Sequence, residues 1–135
     1  MSLALYADDV VSRVSAPQVR TTLDTFRTEP TRGRALVLDA AGERVGYAFL
    51  VSFWSNELGG EICTVDELYV SPDWRSRGHG SQLVHLLLTG DPIWPRMPVA
   101  LELEVSRQNP RAYALYERLG FRLKRNDTLR LPVAR

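Results

Sequence analysis

Hydrophobic and polar positions change period several times along the chain, and each change marks an element. Val19, Leu23 and Phe26 fall at helical spacing behind Ser15-Ala-Pro-Gln-Val. Serine is a suitable cap there and proline is tolerated in a first turn, so the spacing predicts a helix that stops before Pro30. Ahead of it, Asp8, Asp9, Val10, Val11 and Val14 suggest another short helix. Arg34 to Asp39 and Val45 to Trp54 read as strands, separated by the turn Ala40-Ala41-Gly42-Glu43. Asn56-Glu-Leu-Gly-Gly60 turns the chain into a third strand, Ile62 to Val70, which Pro72 ends. The period then lengthens: Leu83, Val84, Leu87 and Leu88 make the apolar face of a helix over Ser81 to Leu88. After a proline-punctuated loop, Asp91 to Pro98, strict alternation of Val99, Leu101, Leu103 and Val105 predicts a strand. Ala112, Leu115, Tyr116 and Leu119 predict a helix ended by Gly120, and Phe121–Leu123 and Thr128–Val133 read as two closing strands. An antiparallel run of three strands followed by helix, strand and helix implies an α/β (α+β) fold. It has a mixed, mostly antiparallel sheet flanked by helices, and ligands in such sheets bind beyond the carboxyl ends of the strands.

Composition narrows the function classes. At 135 residues, 44% hydrophobic and 24% charged, the chain is expected to form a single domain over residues 1–135. No apolar run reaches the roughly 20 residues of a membrane span. The N-terminus lacks the pattern of a secretory signal, so a cytoplasmic protein with no membrane partner is expected. A net charge of +1 argues against a whole-surface nucleic-acid binder. Cys63 stands alone between Ile62 and Val65 and reads as a core residue. It rules out a disulfide within the chain, and His79 and His85 lack a third ligand, so no metal is expected.

Chemistry concentrates in Glu67-Leu-Tyr-Val-Ser-Pro-Asp-Trp-Arg-Ser-Arg-Gly-His-Gly-Ser81. A strand ends, and Arg75-x-x-Gly78-x-Gly80 leads directly into a helix. Glycines let a backbone approach a ligand, and unpaired N–H groups at a helix start attract an anion such as pyrophosphate. No Gly-Lys-Ser/Thr follows, which excludes a Walker loop, and the third glycine of a dinucleotide fingerprint is missing. About thirty residues on lies Ser106-Arg-Gln-Asn109-Pro-Arg-Ala112-Tyr-Ala-Leu-Tyr116-Glu-Arg-Leu-Gly120-Phe121.

Together the two segments resemble motifs A and B of the GNAT superfamily of acetyl-coenzyme A-dependent N-acetyltransferases, over roughly residues 34 to 125. The resemblance implies a GNAT-like sheet with a central splay between two parallel strands, and acetyl-CoA as co-substrate. It implies that the amides of Arg77, Gly78, His79, Gly80 and Ser81, with Arg75 nearby, hold the pyrophosphate. The backbone of Leu68, Tyr69 and Val70 and the side chain of Asn109 are implied to hold the pantetheine arm. Tyr116 stands where many members carry the general acid that protonates the departing thiolate. The strand amide near Val70 is implied as the oxyanion donor. Asp66 and Glu67 are the candidate bases. As strand neighbours they are expected to point to opposite faces, and related members favour Asp66.

Glu57, Glu61, Asp66, Glu67 and Asp73 lie between Ser55 and Trp74 without a base among them, whereas Arg107 to Arg125 is strongly basic. An acidic acceptor mouth beside a basic cofactor wall suits a cationic amine. Phe53, Trp54 and Trp74 are candidates to line that mouth. The expected reaction is acetyl transfer to a primary amine of a small cationic molecule. Alternatives are a protein N-terminal or lysine acetyltransferase and a non-catalytic acyl-CoA sensor; an RNA-binding domain lacks stacking motifs. GNAT domains often form homodimers, although no pattern here marks an interface. Two departures stand out. Leu3 to Tyr6 is a poor candidate for the family's first strand, which is expected to be absent or shortened. His79 takes a position where an apolar residue is common, and by default reads as an exposed loop histidine.

Overall fold

Side-chain alternation sorts the buried residues into two cores, one on each face of a five-stranded sheet. The computed structural model describes residues 2–5, 17–90, 93–106 and 108–134. Strands β1 (Ser2–Leu5), β2 (Gly33–Ala40), β3 (Glu43–Ser55), β4 (Gly60–Val70) and β5 (Ala100–Leu103) lie side by side in chain order. The first four are antiparallel, and β5 runs parallel to β4. Helix α1 (Pro17–Thr28) precedes β2, and α2 (His79–Leu88) makes the crossover from β4 to β5. A parallel pair needs such a crossover, and a helix supplies it. No helix among the described residues is long and apolar enough to cross a membrane.

Leu83, Val84 and Leu87 of α2 are buried, and Leu83 and Leu87 pack with Leu36, Leu38, Ala48, Leu50, Cys63 and Val65 on one face. Leu23 of α1, with Val19 and Phe26 beside it, joins Ala35, Val37, Tyr47 and Phe49 on the other. The Cys63 thiol is fully buried, and that burial pushes it up to about 12, so it is a packing group.

Residues 1–104 and 105–135 form two compact units. The second holds α3 (Pro110–Arg118). Asn109 caps it through its Oδ1, which accepts the Ala112 N–H at 3.2 Å, and Pro110 opens the first turn. At the other end Phe121 N–H donates to the Tyr116 carbonyl and Gly120 N–H to that of Glu117, both at 3.0 Å. These are the two bonds of a Schellman stop, and Gly120, at φ 107°, supplies the backbone it requires.

The structure corrects several expectations. A first strand is present: β1 pairs with Leu36–Asp39, and the edge of a sheet accepts a short segment of weak strand propensity. The strand expected from Val99 to Val105 is shorter, Ala100–Leu103. The two closing strands are absent. Leu123, Leu129, Leu131 and Val133 are 81%, 93%, 87% and 84% exposed, and Pro132, which has no N–H, interrupts the second run. The helix expected around Asp8 to Val14 lies outside the described residues.

Candidate active site

β4 and β5 pair from Ile62↔Ala100 to Val65↔Leu103 and no further. β4 continues to Val70, so Asp66–Val70 extend past the last β5 partner. This is the splay that the family resemblance implies. It begins at a β-bulge: Leu50 pairs with Val65 and Phe49 with Glu67, leaving Asp66 as the extra residue. Val65 and Leu68 both pack on the α2 side, with two residues between them where regular alternation has one. The expectation that Asp66 and Glu67 occupy opposite faces therefore fails, because alternation is broken at that point. Both carboxylates are exposed. Glu67 is held from the α1 side: its Oε1 accepts the Tyr47 hydroxyl at 2.7 Å.

Beyond Val70 the chain makes a short turn, Pro72–Trp74, and enters α2. Arg75 Nε donates to the Val70 carbonyl at 2.9 Å and the guanidinium lies 5.8 Å from the Tyr69 ring centre, tying the loop to the strand end. Ser76 and Gly78 have left-handed backbone, at φ 61° and 82°. Gly78 is the N-cap of α2, and no side chain caps that end. The first amides of α2, at His79, Gly80 and Ser81, thus face outward with the helix dipole behind them, a geometry suited to phosphate oxygens. Arg77 stacks on Trp74 at 4.7 Å from its ring centre. His79 is not the exposed loop residue expected. It is 8% exposed, its ring centre is 6.3 Å from that of Trp74, and burial, with a smaller contribution from the Arg77 charge, pushes its imidazole down, favouring the neutral form.

In the second unit Asn109 is the N-cap of α3 and Tyr116 sits in the helix. Tyr116 is half-buried, its phenol is pushed up by burial, and its ring meets the edge of Phe121 with centres 5.7 Å apart. The phenol therefore keeps its proton through neutral pH.

The acidic mouth is smaller than the sequence implied. Glu61 lies at the start of β4, away from the splay, and its carboxylate is taken by Ser52, Trp94 and Arg96 at 2.6, 2.8 and 2.7 Å. Phe53 and Trp54 pair with Ile62 and Glu61 at that same far end, so they do not flank Asp66–Val70. Trp74 does belong to the loop. Tyr47 escaped sequence reasoning. The only hint was a hydroxyl-bearing ring within an otherwise apolar stretch of β3.

A family model described as Acetyltransferase (GNAT) family matches residues 4–121. The chain belongs to the GNAT acetyltransferase family. Solved structures agree on the GNAT fold. A transcriptional regulator from Bacillus halodurans C-125 superposes with a TM-score of 0.76 at 16% identity, covering 98% of this chain and 99% of that one. The ribosomal-protein-alanine N-acetyltransferase from Brucella melitensis biovar Abortus 2308 gives 0.64 at 20%, covering 97% and 99%. The aminoglycoside N-acetyltransferase AAC(6')-Iy in complex with CoA gives 0.68 at 15%, covering 98% and 100%. A search of curated protein sequences finds no match. This GNAT chain is accordingly an acyltransferase, and acetyl-CoA is the family's acyl donor. Its splayed β4 end and uncapped α2 amides fit such a donor: an extended arm along the strand and a pyrophosphate at the helix.

Proposed function

We propose that residues 1–135 are a single GNAT domain of the cytoplasm that transfers acetyl from acetyl-CoA to a primary amine of a small cationic molecule. The observation that carries the reading is the end of β4, Asp66–Val70, which has β3 but no β5 partners and leads into a helix whose first amides no side chain caps. The amides of Arg77 to Ser81 hold the pyrophosphate, with Arg75 and Arg77 adding positive charge. The backbone of Leu68, Tyr69 and Val70 and the side chain of Asn109 orient the arm. When bound, the co-substrate supplies an activated acetyl thioester. Asp66 or Glu67 takes a proton from the acceptor ammonium, because only the free amine has a lone pair with which to attack. The Val70 N–H donates to the thioester oxygen as negative charge builds there. The acceptor nitrogen bonds to the acetyl carbon as the carbon–sulfur bond breaks, and Tyr116 gives its proton to the departing sulfur. The second proton, shed by the acylated nitrogen, passes through solvent to restore the Tyr116 phenol. No metal takes part in this scheme.

Thiol release tests it, with acetyl-CoA and a panel of spermidine, kanamycin and a tripeptide bearing a free N-terminus. Background is small because Cys63 is buried. Turnover with spermidine or kanamycin is expected, and Gly78→Asp is expected to weaken coenzyme A binding about tenfold or more by calorimetry, through phosphate repulsion. Turnover with the tripeptide alone makes the acceptor a protein. Tight binding with no turnover on any amine makes the domain a sensor. Wild-type affinity in Gly78→Asp overturns the loop assignment.

A further inference from the structure

The α1 side of the splayed strand carries a connected row of side chains that the two sequence motifs do not contain as a unit. Tyr47 projects from β3, 6% exposed, and its hydroxyl donates to Glu67 Oε1 at 2.7 Å. Its ring stacks on Tyr69, with centres 5.3 Å apart and planes 23° from parallel. Tyr69 in turn meets the Arg75 guanidinium, and Arg75 Nε holds the Val70 carbonyl. The row runs from a carboxylate to the loop before α2. Glu67 belongs to it through the Tyr47 hydrogen bond and a strand register partner, Phe49; Asp66 is the extra residue of the bulge.

We infer that Tyr47 is a positioning residue that fixes Glu67, rather than Asp66, as the carboxylate presented to the acceptor ammonium. This rests on the acetyltransferase reading above and sharpens it. An exposed glutamate loses side-chain entropy when it is held in one conformation, and that loss must be offset by a bond made in the same place each time. A buried ring stacked on a second ring supplies such a bond, since Tyr47 cannot follow a wandering carboxylate. With Oε1 held, Oε2 is the oxygen that remains to receive the ammonium proton. The acceptor nitrogen, freed of that proton, then forms its bond to the acetyl carbon while the thiolate leaves with the Tyr116 proton, and the nitrogen's second proton passes to solvent. Holding the base in one place matters because effective molarity falls steeply with misplacement. Tyr69, clasped between Tyr47 and Arg75, keeps the carboxylate in register with the strand end along which the acyl arm is proposed to lie.

Tyr47→Phe removes one oxygen and keeps the ring. With the best amine of the panel, it is expected to lower kcat about tenfold while KM for acetyl-CoA stays within about twofold, since only a charge-assisted hydrogen bond is lost. Glu67→Asp, too short to reach Tyr47, is expected to fall by a similar factor, and adding Tyr47→Phe to it is expected to change nothing further. Glu67→Gln is expected to lower kcat far more than Asp66→Asn does, and the reverse order overturns the inference. A readout without substrate is the side-chain carboxyl 13C NMR spectrum: Tyr47→Phe is expected to move the Glu67 signal and leave that of Asp66 in place. Wild-type kcat in Tyr47→Phe, multiplicative losses in the double variant, or an unmoved Glu67 signal each overturn the inference while leaving acetyl transfer intact. No turnover by the wild type with any amine overturns the acetyltransferase reading, and the positioning role falls with it.

Discussion

Tyr116 lies in the last turn of α3, where its carbonyl accepts the Phe121 N–H and its ring meets the Phe121 edge. Much of the second motif is therefore explained by helix ends: Asn109 and Pro110 start the helix, and Leu119-Gly120-Phe121 stops it. The Tyr116 hydroxyl takes no part in either capping pattern, so it is the atom left for chemistry. Tyr116→Phe keeps the ring and the stop, and is expected to lower kcat about tenfold with coenzyme A affinity unchanged. Burial pushes the phenol above its usual 10.0, so the acid stays protonated through the neutral range. The rate is expected to fall only as pH rises through that raised value, and the phenylalanine variant is expected to lack this alkaline limb. Equal turnover of the two proteins across the pH range would remove Tyr116 from the mechanism. Spacing places Tyr116 on a helix; it does not show that Asn109 caps that helix with its side-chain oxygen.

The elements were the most legible part of the chain, and the reason is periodicity. The helix behind Ser15 and the strands around Leu36, Leu50 and Val65 each bury one face, so their patterns survive in the fold. A bulge is invisible to the same reasoning because it adds a residue without changing composition. That is why the faces of Asp66 and Glu67 were misassigned. Long-range polar clamps are hidden too. Glu61 reads as one more acid of a mouth, yet it fastens the segment around Trp94 and Arg96 to β4. Its side chain is 10% exposed. Burial pushes its carboxyl up, but hydrogen bonds from Ser52, Arg96 and Trp94 outweigh this and leave it lowered from 4.5. A carboxyl lowered in the folded state stabilises above its unfolded value and loses that contribution as pH falls through the folded one. Glu61→Ala is expected to cost about 1–3 kcal/mol in urea unfolding at neutral pH, because the buried Trp94 N–H is left unpaired. The gap to wild type is expected to shrink as pH falls below 4.5. A gap that stays constant with pH would mean that Glu61 contributes packing and no charge-dependent bond.

At the scale of the whole molecule, the near-zero net charge conceals an uneven layout: carboxylates where β4 splays, arginines in the loop that follows, and a basic stretch through the second unit. That stretch is also where pattern and structure part. Leu129, Leu131 and Val133 alternate as a strand would, yet residues 121–134 contain no helix or strand, and these side chains are among the most exposed apolar groups described. Alternation reports a face that can be buried; only a partner edge turns it into a strand, and Pro132 withholds one of the N–H groups such pairing uses. Amides without ladder partners open at little free-energy cost, and proteases find them first. Brief trypsin treatment is therefore expected to cut after Arg125 and Arg130 before it cuts after Arg34 or Arg44, which lie in β2 and β3. Mass spectrometry of the first fragments reads the order, and the sheet's circular dichroism is expected to survive the cut. Protection of Arg130 on the same timescale as Arg34 would show that the alternating run is paired in solution, as its sequence pattern calls for. In that case acetyl-CoA would be expected to leave the digestion pattern unchanged. Where the segment is open, any slowing of cleavage by acetyl-CoA measures directly how much of the second unit the co-substrate orders.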